Sequence, residues 1–516
     1  MFILEADARA DPATTTSQEC ASRQGQRVKV QGFVHRIRAL GGANFIVLRD
    51  QTGTVQVFAE QSTPGFAGTK EGFVVEIHGL CKSEPRAPGG FEVVAEKIEV
   101  LVAPQEELPI TINKDALRVH LNVDINNRPI TLRHYTYRSL FKIQEGLARG
   151  FRRFLTENDF TEIFTPKIVG MGTEGGANVF SLEYFGKTAY LAQSPQLYKQ
   201  IMVGVFGKVF EIAHVFRAEP HDTARHLNEY VSMDFEMGFI KDFRDIMSVQ
   251  VVCLHSMFQL LGTSHNRHLE ALGLALPDTS KIPVLHVKEA HELVLRHSGE
   301  DFRGRGELSA REENLLGKAM KEGFGYELVF VTHYGSSARP FYAMDDPENP
   351  EETLSFDLLF RGVEITTGGQ RIHDYSQLVS KMRARGMNVG DFTHYLMAFR
   401  YGMPPHGGLA MGLERITSLL AGYDNVRYGS LFPRDMLRLA PWTNKQVNRL
   451  LRIDETACPS TNNCPTVGGL QASQGNKHRL LSVGAQVNDL FPPLSGHCPY
   501  LIMPKCSVQK VSHFAD

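Results

Sequence analysis

Residues 216–239 read FRAEPHDTARHLNEYVSMDFEMGF. Just upstream, Val209, Phe210, Glu211 and Ile212 follow a strand-like alternation, and downstream Val231, Met233, Phe235 and Met237 recur at every second position. The stretch is therefore predicted to be two strands joined by a polar loop. Arg217 closes the first strand, and His221, Arg225 and His226 lie in the loop. Asp234 and Glu236, two residues apart on the second strand, share a face. An ordinary solvated hairpin could carry these charges. Two arginines and two histidines on a rigid hairpin also suit a phosphate-rich ligand, because guanidinium pairs bidentately with phosphate oxygens.

The rest of the chain bounds the reading. Its 516 residues leave room for roughly two to four domains. Hydrophobic and charged shares of 42% and 22% are ordinary for a globular protein, and a net charge of −2 excludes global basicity while allowing a local basic face. No apolar run is expected to reach the roughly 18 residues that span a bilayer. Residues 1–25 carry Glu5, Asp7 and Asp11 without a long apolar core, so they read as a flexible leader and not as a targeting signal. Seven cysteines, an odd number, point to reduced thiols and a cytoplasmic location.

Between residues 26 and 104 the pattern is β. Val28, Val30 and Val34 face one way; Gln31, Phe33 and His35 face the other; Phe45, Val47, Val55 and Val57 continue the alternation. About five short strands with glycine-bearing turns predict a small barrel of the OB type. Such barrels bind single-stranded nucleic acid on exposed aromatics, and Phe33 and Phe45, with Arg36, Arg38 and Arg49, are candidates as well as possible core residues. Residues 105–135 read as a linker and hinge. From 136 to 442 a second domain follows. It contains a helix over about 137–158 and the strand Phe160-Thr161-Glu162-Ile163-Phe164-Thr165-Pro166. Proline cannot donate to a ladder, so this is an edge or interface strand. Next come the glycine-rich loop TEGGANVF (173–180) and a helix starting at Ser194-Pro195, with Gln196, Lys199 and Gln200 on one face. The strands of SFDLLFRGVEITTGGQRIH (355–373) put Asp357 and Glu364 opposite the apolar positions, and GLAMGLER (408–415) runs from a strand into a helix.

In this order the segments resemble a class II aminoacyl-tRNA synthetase, of the aspartyl branch in its archaeal and eukaryotic form. FTEIFTP is similar to the first class motif, FRAEPHDTARHLNE to the second and GLAMGLER to the third, while EGGANVF, YLAQSPQLYKQ and EITTGGQRIHD are closer to the aspartate branch. The resemblance covers about residues 27–441. It implies an α+β fold: a five-stranded OB barrel that reads the anticodon, and a catalytic domain built on an antiparallel sheet flanked by helices. It also implies a homodimer formed through the strand ending at Pro166. The implied reaction joins L-aspartate to tRNA-Asp through an aspartyl-adenylate, with ATP as substrate and Mg²⁺ as cofactor.

Site roles follow from the same resemblance. Arg217 would hold the α-phosphate, where charge builds as the aspartate carboxylate attacks. Glu219 would meet the adenine edge and Tyr230 one of its faces. Arg415 would cover the other face and reach the γ-phosphate, and Arg225 and His226 would steady the triphosphate. Leu227, Gly412, Leu413 and Glu414 complete the ATP-binding set. Asp357, Glu364 and Thr367 would bind Mg²⁺ through oxygen. Arg371 and Lys199 would pair the side-chain carboxylate of aspartate, so that neutral asparagine leaves two cations poorly compensated. Glu174 and Asp234 would attract the ammonium, Ser194 and Gln196 would line the pocket with Thr367, and Phe33, His35 and Phe45 would meet the anticodon.

The chain departs from the family pattern at three places. Thr367 stands for the usual serine, Pro220 for an acidic residue, and Phe33 for the tryptophan of relatives strict for tRNA-Asp. The last favours charging of tRNA-Asn as well. Residues 443–516 match nothing in the family and read as a disordered extension. Its Cys458, Cys464, Cys498 and Cys506 are spaced too widely for a zinc ribbon. Alternatives are an asparaginyl-tRNA synthetase, an RNA-binding OB protein with an inactive synthetase domain, and a tRNA-independent amide synthetase on the same fold.

Overall fold

The computed structural model describes residues 14–40, 43–172, 178–220 and 223–439. Five strands, β1 (Arg27–Leu40), β2 (Ala43–Arg49), β3 (Thr54–Glu60), β4 (Val74–Ser83) and β5 (Phe91–Val102), close into a barrel in the order β1-β2-β3-β5-β4. Its interior is filled by Val28, Val30, Val34, Ile46, Leu48, Val57, Val75 and Ile77. In β2 the inward residues are thus Ile46 and Leu48, and Phe45 and Val47 face outward, whereas Val55 and Val57 of β3 point inward. Residues 14–25 do not behave as a leader. Thr15 donates its amide to the Lys29 carbonyl at 2.7 Å, Ser17 Oγ bonds Asp50 at 2.7 Å, and Cys20 is sealed in the barrel core.

The hinge stretch is more ordered than its weak periodicity suggests. It contains short helices at Leu121–Asn126 and Arg128–Thr131, and Arg128 is wholly buried, 3.0 Å from Asp124 and 2.7 Å from the Arg427 carbonyl. A buried arginine survives because the carboxylate and carbonyls replace its water.

The second domain is organised on an eight-stranded sheet. Its strands are β6 (Thr161–Glu162), β10 (Lys208–Phe216), β11 (Glu229–Gly238), β12 (Val284–His286), β13 (Leu328–Thr332), β14 (Ser355–Phe360), β15 (Val363–Arg371) and β16 (His406–Gly412). The order is β12-β13-β14-β15-β16-β11-β10-β6. The six central strands are antiparallel, as expected, but β12 and β6 join parallel at the two edges, making the sheet mixed. A smaller sheet holds β7 (Ile168–Val169), β8 (Ser181–Tyr184) and β9 (Lys187–Leu191). The strands on either side of the Arg217–Asn228 loop form the β10–β11 hairpin, in register from Lys208↔Met237 to Phe216↔Glu229.

Helices Tyr135–Glu157 and Arg244–Ser264 pack against one face of the sheet through Leu147, Phe151, Leu254, Met257 and Leu261. The second is long and apolar enough to cross a membrane by length and composition, which corrects the expectation that no such segment exists. Here it is a core helix, with Cys253, Leu254, Met257 and Leu261 at most 1% exposed. The three described cysteines, Cys20, Cys81 and Cys253, are buried and unbridged.

Candidate active site

A cleft of about 340 Å³ opens over β11, β15 and β16. Antiparallel neighbours bring Asp234 opposite Ala410 and Ala410 opposite Thr367, so residues far apart in sequence share one floor. The cleft is lined by Ser194, Gln196, Arg217, Glu219, Arg225, His226, Leu227, Tyr230, Glu364, Thr367, Arg371, Gly412, Glu414 and Arg415 among the expected residues. Arg339, Ser232 and Tyr342 also line it and were not foreseen. Five arginines against three glutamates make the lining net cationic, which suits a polyanion.

The β10–β11 loop is tied down at its base. Arg217 donates its amide to the Asn228 carbonyl at 2.9 Å, and Asn228 Nδ2 returns a bond to the Arg217 carbonyl at 2.7 Å. The Arg217 guanidinium lies 5.8 Å from the centre of the Tyr230 ring. His226 bonds Thr223 Oγ1 through Nδ1 at 2.6 Å; burial, then Arg415, holds its pKa below the usual value, favouring neutral imidazole. Arg415 donates to the Glu364 carbonyl at 2.6 Å and to the Arg225 carbonyl at 3.3 Å, joining the two sides of the cleft.

At the other end sits a buried quartet. Lys199 Nζ lies 2.9 Å from Asp234 Oδ1 and 3.3 Å from Glu236 Oε2, and donates to the Leu409 carbonyl at 2.8 Å. Arg371 Nε meets Glu236 Oε1 at 2.9 Å, and its Nη2 reaches the Gly408 carbonyl at 3.0 Å and Gln196 Oε1 at 3.3 Å. Burial opposes the charge of Glu236, but Arg371 and Lys199 outweigh it and hold the carboxyl below its ordinary range. Gln196 Nε2 is buried without a partner on the cleft wall, a donor suited to a ligand oxygen. The helix Gln196–Phe206 begins one residue later than expected: Pro195 is its N-cap and Ser194 Oγ accepts the Gln196 amide at 3.1 Å.

Four expected site residues do not line the cleft. Lys199 and Asp234 lie beneath it, 1% and 0% exposed, so the two cations are already compensated by Asp234 and Glu236 instead of waiting unpaired for a substrate. Leu413 packs in the core. Asp357 is held by Arg339 Nη2 at 2.8 Å, its second oxygen buried and without a partner. Burial, with the Glu364 charge added, raises the Asp357 carboxyl, whereas Arg415 and Arg339 keep Glu364 low against its burial. Thr367 Oγ1 lies 3.1 Å from Glu364 Oε1. Glu174 and His221 fall outside the described residues.

On the barrel, Phe33 lies opposite Arg49 in the β1–β2 ladder and is covered by two guanidinium groups, Arg49 at 4.8 Å and Arg133 of the hinge at 5.5 Å. His35 sits where the register shifts between Val34 and Arg36, its pKa lowered by burial and by Arg49. Phe45 packs its ring edge-on to Phe58 at 5.7 Å on the outer surface.

Comparison with known proteins decides the family. A family model for class II tRNA synthetases (D, K and N) matches residues 120–436, and one for the OB-fold nucleic acid binding domain matches residues 28–101. The chain belongs to the class II tRNA synthetases. A synthetase of Deinococcus radiodurans, named aspartate–tRNA(Asp/Asn) ligase, is 47% identical over 433 residues, 83% of this chain and 98% of that protein. The aspartate–tRNA(Asp) ligase of Pyrococcus furiosus is 39% identical over 81% of this chain and 97% of its own. Among solved structures, the asparaginyl-tRNA synthetase of Pyrococcus horikoshii with asparaginyl-adenylate superposes with a TM-score of 0.77 at 31% identity, over 83% of this chain and 99% of the other. The aspartyl-tRNA synthetase of Entamoeba histolytica gives 0.73 at 30%, over 83% and 92%. The synthetase fold is common to both amino acid specificities, so the choice between them falls to side chains in the cleft.

Proposed function

We propose that this synthetase ligates L-aspartate to tRNA-Asp, and to tRNA-Asn as well, in two steps. The aspartate α-carboxylate attacks the α-phosphorus of ATP, pyrophosphate leaves, and the terminal ribose hydroxyl of the tRNA then attacks the aspartyl carbonyl with loss of AMP. The observation that carries this reading is the shared cleft, with Arg217 and Arg415 along one stretch and the Arg371–Glu236–Lys199 network at the other.

Arg217 neutralises the charge that develops on the α-phosphate, and Arg415 and Arg225 serve the outer phosphates. Positioning accounts for much of the acceleration, since the attacking group is already ionised. Arg371, braced by Glu236, meets the substrate's side-chain carboxylate. Lys199 acts from beneath as a positioning residue, fixing Asp234 and Glu236. Glu364 and Thr367 present adjacent oxygens and Asp357 a buried oxygen without a partner, a donor set that fits Mg²⁺. When bound, that ion would neutralise phosphate charge.

The dimer reading is supported by Phe164, 86% exposed, and Ile168, 49% exposed, on either side of Pro166, an apolar edge suited to a second copy. Relaxed tRNA choice is supported by the name of the Deinococcus radiodurans relative, which at 47% identity is more similar to this chain than the tRNA(Asp) ligase of Pyrococcus furiosus at 39%, and by Phe33 at the tryptophan position. The buried, unbridged thiols among the described residues suit the cytoplasm. The test is parallel aminoacylation of purified tRNA-Asp and tRNA-Asn, with pyrophosphate exchange driven by aspartate or asparagine. Exchange with asparagine alone would overturn the aspartate assignment, and charging of tRNA-Asp alone would overturn the dual one.

A further inference from the structure

Glu313 lies on the helix Ala310–Phe324, in a segment outside the three class motifs, yet its carboxylate reaches the edge of the cleft. It pairs with the guanidinium of Arg225, and the same oxygen, Oε2, accepts the backbone amide of Glu364 at 3.1 Å. The Glu313 side chain is only 11% exposed, so its charge depends on these donors.

Both partners matter to the nucleotide. Arg225 and Glu364 line the cleft. Near Ile365 the β14–β15 register shifts, Thr366 facing Leu358 and Glu364 facing Leu359. A bulge of this kind disturbs the ladder and re-aims a side chain, so a fixed acceptor for the Glu364 amide holds the chosen geometry. Glu364 is thereby gripped on both sides of its backbone, by Glu313 at the amide and by Arg415 at the carbonyl. The helix can sit this close because Gly317, one turn on, has no side chain: an added Cβ would fall 2.4 Å from Gly362 Cα.

We propose that Glu313 is a positioning residue that holds Arg225 at the rim of the cleft and yields it to the terminal phosphate of ATP, while keeping its grip on Glu364. The proposal rests on the nucleotide reading of the cleft. A guanidinium committed to a carboxylate is only partly available to phosphate, so Glu313 sets the apparent affinity for the triphosphate. Aspartate, bound at the Arg371 end, is outside its reach.

The test is calorimetric titration of the full-length enzyme with ATP in EDTA, and separately with aspartate. Glu313→Gln is expected to tighten ATP roughly five- to tenfold, the gain from releasing a mostly occupied arginine, and to leave aspartate unchanged. In the Arg225→Ala background the same substitution should give no gain. Should the glutamine variant not fold, Glu313→Ala removes the same charge and is expected to tighten ATP likewise. Unchanged or weaker ATP binding, an equal shift for aspartate, or a gain that persists without Arg225 overturns the proposal. Failure of the unsubstituted enzyme to bind ATP would instead overturn the nucleotide reading itself.

Discussion

Glu236 bridges Arg371 and Lys199: its Oε1 meets Arg371 Nε at 2.9 Å, and its Oε2 lies 3.3 Å from Lys199 Nζ and 3.5 Å from Arg371 Nη2. The cleft-lining arginine and the hidden lysine are therefore one electrostatic unit, closed by Asp234. Two cations and two carboxylates balance, so the unit is neutral before any substrate arrives.

Removing the lysine leaves two buried carboxylates short of a partner. Lys199→Met should lower stability by about 3–5 kcal/mol, read by urea unfolding, and should raise the KM for aspartate more than that for ATP. Unchanged stability would mean that the quartet is solvated in solution.

Arg371 touches the cleft directly. Arg371→Ala should cut aspartate-dependent pyrophosphate exchange by about 100-fold or more, while the ATP dissociation constant stays within about twofold. Retained exchange would remove Arg371 from the aspartate pocket.

Glu414 gives a pH dependence. Burial outweighs the Val231 amide that both its oxygens accept and pushes its carboxyl from 4.5 up to about 8. The folded state then holds a proton that the unfolded chain has released. Stability from this group is full below the unfolded value and is lost as pH rises toward 8. Glu414→Gln should remove a loss on the order of 3–5 kcal/mol between pH 5 and pH 8, measured by denaturant unfolding across that range.

Phe33 is packed between a barrel arginine and a hinge arginine, so it joins two parts of the chain. Phe33→Ala should raise the KM for tRNA several-fold and leave pyrophosphate exchange alone. Phe33→Trp should shift charging toward tRNA-Asp; an unchanged ratio would take tRNA choice away from this position.

What could be read from sequence was what period and local chemistry encode. The β10–β11 hairpin alternates cleanly, because one face of β11 is core and the other carries charge. In β2 four apolar residues, Phe45 to Leu48, run together, and a continuous run does not say which alternate set points inward. Lys199 looked like a pocket cation, and only tertiary structure supplied the two carboxylates beneath the floor. Glu313 gave no local sign. It follows Glu312, which completes a capping box with Ser309, and two acidic residues in a first turn are ordinary helix chemistry. Arg339 sits in an aperiodic stretch, where its contact with Asp357 has no counterpart in spacing.

The near-contact of Gly317 and Gly362 has a bearing on how this enzyme can vary. Residues 313 and 317 stand one above the other on the same helical stripe, so the gap at one sets the height of the other. The reach of the Glu313 carboxylate is thus measured out by a missing methyl group, and a lineage that filled that notch would shift the Glu313–Arg225 pair without altering any residue that lines the cleft.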